Sequence, residues 1–157
     1  MADMLQNLYP HLLAFHGVLR WFVLAAALAA VFVAASGWSG RGPVRPALLR
    51  FSFIFVVFMD LNFLLGLILY FGASPVTKMA FQNMGAAMKD HELRFFSVEH
   101  TTYMFLAVVC AHLGAVLARK GKTDLMKYRG AAISYGLSVL LILAGIPWWR
   151  PFLRIGS

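Results

Sequence analysis

Four long apolar runs, at about residues 10–35, 46–71, 97–118 and 130–146, alternate along the chain with short stretches that collect most of its charge. A helix needs about 20 largely apolar residues to cross a hydrocarbon core of ~30 Å, and all four runs lie near or above that length. Breaker residues mark their ends: Ser36-Gly37 after the first, Gly72-Ala73-Ser74-Pro75 after the second, Arg119-Lys120-Gly121-Lys122 after the third and Pro147 after the fourth. Pro10 suits the first helical position. Lipid tolerates no unpaired backbone, so runs of this kind must be helices. The pattern predicts an all-α integral membrane protein, a four-helix bundle forming one domain over residues 1–157. Trp148 and Trp149 follow the last run, where aromatic side chains anchor at headgroup level.

The connections differ in character. The first carries Arg41, Arg45 and Arg50, and the third carries Arg119, Lys120, Lys122, Lys127 and Arg129. The second, about residues 73–96, is longer and mixes Lys78, Lys89 and Arg94 with Asp90 and Glu92. Its centre, residues 76–88, places Met79, Met84 and Met88 among small and apolar residues, which predicts a short amphipathic helix on the membrane surface or over the bundle mouth. Lys and Arg favour the cytoplasmic side. The first and third connections outweigh the second connection plus Arg150 and Arg154, so both termini are expected outside a bacterial inner membrane.

Composition agrees with the pattern. The chain is 61% hydrophobic and 13% charged, with a mean hydropathy of +0.76, against about 45–50% and 25% for soluble domains. The net charge of +8 sits between apolar runs, which excludes the basic face of a nucleic-acid reader. The single cysteine, Cys110, forbids an intrachain disulfide. A signal peptide is not expected, because the first run is too long and only Asp3 is charged before it. Nucleophile–base arrangements, phosphate-cradling loops and metal-protease motifs are absent from the sequence.

Five histidines, His11, His16, His91, His100 and His112, are many for so apolar a chain. The first and third helices run in the same direction. His16 precedes Gly37 by about as many residues as His100 precedes Arg119, so at ~1.5 Å per residue the two rings come level within one turn. Two level histidines on separate helices can be axial ligands of one iron; equally, each can be an interfacial histidine bonded to a carbonyl or water. Along the His100 face follow Met104, Ala107, Ala111 and Gly114, small residues that either leave room for a macrocycle edge or admit a close helix. Arg20 and Arg94 are candidates to hold haem propionates, and Arg20 could instead snorkel beside Trp21.

His112 lies ~18 Å beyond His100 along the axis and cannot share its iron. It is expected as a buried histidine satisfied by a neighbour, with a second-site ligand or proton relay as alternatives. His11 is expected at the interface and His91 in solvent. Asp60, midway through the second run, is either a proton-relay or quinone-site group or a protonated acid bonded to another helix, with His112 or Tyr135 as partner. Glu99 is expected to pair with Arg94 or Lys89. Asp90-His91-Glu92 only superficially resembles a metal triplet, since adjacent helical residues point apart.

Several stretches together resemble a family of small four-span bacterial membrane proteins, some labelled cytochrome b-like. They are His16-Gly17-Val18-Leu19-Arg20-Trp21, Gly66-Leu67-Ile68-Leu69-Tyr70-Phe71, Met88-Lys89-Asp90, Leu93-Arg94-Phe95, Val98-Glu99-His100 and Leu143-Ala144-Gly145-Ile146-Pro147-Trp148. The resemblance covers most of the chain. It implies the four-span fold and one outer-face cluster of His16, Arg20, Arg94 and His100. The expectation is a b-type cytochrome-like electron-transfer subunit, with haem b on His16 and His100, Met104 beside it, and a quinone pool or periplasmic donor as redox partner. The competing expectation is a cofactor-free accessory or scaffold subunit packed against other subunits of a respiratory or photosynthetic membrane complex. A metal or small-solute carrier using loop methionines and histidines ranks third.

Overall fold

The computed structural model describes residues 2–40 and 42–150, with side chains from residue 7 onward. The side chain of Asp3, together with Arg41 and Arg154, lies outside the described residues. The chain is all-α. α1 spans Ala2–Gly40 and α2 spans Pro46–Ile68, prolonged by a wide π-helical turn, Leu69–Ala73. Three short helices follow: α3 Pro75–Gln82, α4 Met84–Ala87 and α5 His91–Arg94. A second π-helical turn, Phe95–Glu99, leads into α6 His100–Lys120, and α7 Asp124–Gly145 closes the bundle.

Four segments are long and apolar enough to cross a membrane: Asn7–Gly40, Pro46–Ala73, His91–Lys120 and Asp124–Gly145. Their outward faces carry Phe32, Phe53, Phe71, Phe105 and Leu140, each more than half exposed. Apolar surface on this scale needs lipid rather than water around it. α1 packs beside α2 and α7, and α6 packs beside the same two helices. The bundle is therefore a square ring, with α1 and α6 on one diagonal.

Local chemistry sets the element ends. Pro46 occupies the start of α2 and Pro75 the start of α3. The side chains of Ser74, Asn83, Asp90 and Thr123 each accept a hydrogen bond from the backbone N–H three residues on, which satisfies a donor that the first helical turn leaves open. Pro10 does not begin α1, as its position in the sequence suggests, but lies inside it. Proline removes one ladder bond there, and the apolar run that follows carries the helix past the defect. The amphipathic connection is broken in two at Asn83, whose non-helical backbone ends α3 and whose amide caps α4.

The end bearing the first and third connections, here the basic end, is closely packed. Ala27, Ala30, Ala34, Ala107, Ala111 and Ala131 are almost fully buried, so the helices pack closely there. Two tyrosines fill what remains. Tyr135 donates to Ser52 Oγ (2.6 Å), which donates to the Leu48 carbonyl (2.6 Å). Tyr128 donates to the Pro43 carbonyl (3.2 Å) and accepts from the Arg45 N–H (2.9 Å). Ser138 donates to the Ala107 carbonyl across the α6–α7 seam (2.8 Å). Of the two explanations for the small residues after His100, close helix approach is the one found for Ala107, Ala111 and Gly114.

Candidate functional site

The opposite end of the bundle is built around a cavity of about 180 Å³, walled by all four spanning segments and roofed by Val76 and Thr77 of α3. The two π-helical turns frame it. A π turn widens the ring of backbone bonds and frees a carbonyl, which is why such turns gather at functional sites. Ser74 N–H reaches back to the Leu69 carbonyl (2.8 Å), and the Thr77 hydroxyl takes the Tyr70 carbonyl (2.7 Å). The Tyr70 phenol donates in turn to the Ser97 carbonyl inside the second π turn (2.7 Å). One tyrosine thus ties the end of α2 to the start of α6.

His100 is the first residue after the second π turn. Its Nδ1 lies 2.7 Å from the Gly145 carbonyl. A carbonyl only accepts, so Nδ1 carries the proton and Nε2 keeps its lone pair. That carbonyl is available because α7 stops at Gly145: Ile146 is extended and Pro147 follows. Glycine suits the close approach: a Cβ there would displace the flexible end of Met104, whose Cε lies 2.4 Å away, and press on Tyr103 Cβ at 3.2 Å.

His16 reaches in from α1 across the diagonal of the bundle. Its ring centre lies 6.3 Å from that of His100, with the planes crossed at 75°. The Nδ1–Cε1 edge rests against α2 at Gly66, where a Cβ would meet Cε1 at 3.3 Å. The Asn62 carbonyl neighbours the ring, yet the buried Nδ1 forms no hydrogen bond, and neither does the buried Oδ1 of Asn62. Two imidazoles that bind opposite sides of one metal, each with a nitrogen–metal bond of about 2 Å, have ring centres about 6 Å apart.

The structure gathers His16, Arg20, Met104 and His100 on the cavity wall. Arg20 lines the cavity and also lies over the Trp21 ring at 5.1 Å. Arg94 is elsewhere: it donates to Glu99 (2.7 Å) and to the Met88 carbonyl (3.1 Å), bracing α5 against the connection before it. The cavity wall takes Arg150 instead, which stacks over Phe96 at 4.1 Å and pairs with Glu92. Sequence reasoning also passed over Asn62, Gly66, Tyr70 and Gly145. Asn62 was legible only as the residue turned away from Asp60, Gly66 and Tyr70 only within segments that carry the resemblance, and Gly145 only as a small contact of a structural fourth helix.

Asp60 and His112 form a pair of their own, Oδ2 to Nε2 at 3.4 Å, between α2 and α6. Tyr135 is committed to Ser52 and is not the partner. His112 is not buried as expected: its side chain is 48% exposed and that of Asp60 41%, so the pair lies on the outer surface of the bundle. His11 and His91 are exposed, and His91 packs edge-on to Trp149.

Among the described residues no group of three or more His, Cys, Asp or Glu side chains converges as a metal site. Two histidines across a cavity are too few to hold a bare ion in a closed shell, but they are the number an iron needs when a macrocycle supplies the rest. No family model, curated protein or solved structure matches the chain.

Proposed function

We propose that the protein is a b-type cytochrome-like electron-transfer subunit that holds haem between His16 and His100. The observation that carries this reading is the pair of imidazoles, on diagonal helices, 6.3 Å apart on the wall of one cavity. His100 has the hydrogen bond to a carbonyl that orients metal-ligating histidines and raises their basicity. Met59, Phe63, Leu67, Met104 and Ile142 give the cavity an apolar lining, and Arg20 and Arg150 bring positive charge to it for the carboxylates of the ligand. Bound haem supplies one-electron iron chemistry, and the chain's part is to bind it, orient it and exclude water. The likeness of several segments to four-span proteins labelled cytochrome b-like points the same way.

The charge balance of the connections orients the basic end toward the cytoplasm of a bacterial inner membrane and the cavity end outward. There the subunit exchanges electrons with a quinone pool or a periplasmic donor. Absorption spectra of the purified protein, oxidised and then dithionite-reduced, test the reading. Sharp low-spin bands are expected in the wild type and are lost in both His16→Ala and His100→Ala.

A second reading, an accessory subunit of a larger membrane complex, draws on the Asp60–His112 pair. An acid near the middle of a span costs about 2.5–3.5 kcal/mol against lipid, and a neighbouring subunit would cover it. A colourless, folded protein that co-purifies with membrane partners would favour that reading.

A further inference from the structure

We infer that the two histidines are unequal ligands, and that the His16 side of the cavity is a binding site for a small neutral diatomic molecule such as carbon monoxide or nitric oxide. The inference rests on the haem reading and deepens it. His100 is held from two directions. Its own helix starts at the π turn tied down by Tyr70, and its Nδ1 is fixed on the Gly145 carbonyl at 2.7 Å.

His16 is held less firmly. Its buried Nδ1 faces the Asn62 carbonyl without closing a hydrogen bond of ordinary geometry, and its ring is positioned by contact with α2, which at Gly66 offers no side chain to grip it. A metal-bound histidine almost always donates its second nitrogen to an acceptor, and losing that bond typically lowers metal affinity 10–100-fold. Of the two, His16 would therefore be the more weakly held ligand.

What surrounds His16 suits a small incoming molecule. Gly17 has nothing within 4 Å of where its Cβ would stand, and it lines the cavity with Val18. Asn62, 8% exposed, borders the same space with its Oδ1 unpaired. Its amide can turn an N–H toward a bound oxygen or nitrogen atom. With haem in place the exchange would be a simple substitution: His16 Nε2 would leave the iron keeping its electron pair, and the diatomic would offer its own lone pair instead. Nothing is oxidised or reduced, and no proton moves.

The experiment uses the full-length protein in detergent, loaded with haem, reduced with dithionite and titrated with carbon monoxide. The wild type is expected to start as a six-coordinate low-spin species and shift to the carbonyl spectrum. His16→Ala, with no internal ligand to displace, should bind carbon monoxide faster than the wild type. Asn62→Leu should release the diatomic several-fold faster than the wild type does. Reduced wild type that keeps its low-spin spectrum under saturating carbon monoxide would overturn the inference and leave the haem reading standing. Retention of haem in His100→Ala with loss in His16→Ala would overturn the order of the two ligands. Failure of the wild type to bind haem at all would remove both.

Discussion

The two ends of this bundle are made from the same four helices, yet they resolve the packing problem in opposite ways. At the basic end, alanines and glycines bring the backbones together, and Tyr128 and Tyr135 fill the remaining space with their hydroxyls bonded. At the cavity end, the helices are held apart by histidines, aromatic rings and two widened turns, and a space of about 180 Å³ remains between them. Each end has a glycine facing a ring, and the distances differ in kind. A Cβ on Gly37 or Gly114 would fall 2.0 or 2.4 Å from a buried tyrosine ring, whereas one on Gly66 would sit 3.3 Å from His16. Close packing without hydrophobic drive between helices is what lipid demands for stability. A cavity in the same bundle is a cost kept for binding.

The sharpest way to break this contrast is to add one methyl group at each end. Gly114→Ala and Gly37→Ala should each destabilise the bundle by about 1–3 kcal/mol, the usual penalty of overpacking a filled interior. Neither tyrosine can swing clear, because Tyr135 is held by Ser52 and Tyr128 by Pro43 and Arg45. Gly66→Ala should cost less, since the His16 ring needs to give by only a few tenths of an ångström, and its effect should appear in the spectrum of the haem-loaded protein. Unfolding in detergent, followed beside absorption spectra, separates the two. Equal loss of stability at both ends would mean that the cavity end is packed as tightly as the other.

How much of this was written in the sequence depends on the range of the interaction. Spans and the amphipathic connection follow from neighbours in the chain, and the structure has the helices where the apolar runs lie. Level histidines on the first and third spans also follow from counting residues along parallel helices. What counting could not supply was the direction each side chain takes around the axis. Arg94 was the candidate from the sequence, but α5 turns it toward Glu99 and Arg150 lines the cavity instead. Whether Ala107, Ala111 and Gly114 faced a ligand or a helix depended on α7, which places Tyr135 and Ser138 against that stripe. The link from His100 to Gly145 joins residues 45 apart and exists because a proline ends a helix on another element.

Removing single hydroxyls at the basic end should have a smaller effect than adding methyls. Ser138→Ala deletes the bond to the Ala107 carbonyl, and Tyr135→Phe deletes the bond to Ser52, which still donates to Leu48. Interhelical hydrogen bonds in membranes average about 0.6 kcal/mol, because the unfolded helices also find partners. Each variant should lose about that much in the same unfolding measurement. The edge-on packing of the Tyr135 ring on Phe55, at 5.6 Å between centres, is kept in the phenylalanine variant. A loss several times larger would mean that the basic end is held by its polar contacts and not by its shape.

The smallest expected change is a gain. Gly136 lies in the middle of α7 with nothing within 4 Å of its missing Cβ, between Tyr135, which points into the basic core, and Leu137, which points out. Glycine inside a helix is about 0.5–1 kcal/mol less favourable than alanine, because it loses more freedom on folding. Gly136→Ala should therefore stabilise the isolated protein by up to about that amount. The sign carries the information. A methyl group at Gly114 meets a ring belonging to this chain, so its cost is present in the monomer. A methyl at Gly136 meets only what the membrane provides. If Gly136→Ala stabilises the protein in detergent but lowers its recovery from native membranes in complex with other proteins, this face of α7 is a seam between subunits. The open position would then be explained by a neighbouring helix, as the closed ones are by the tyrosines.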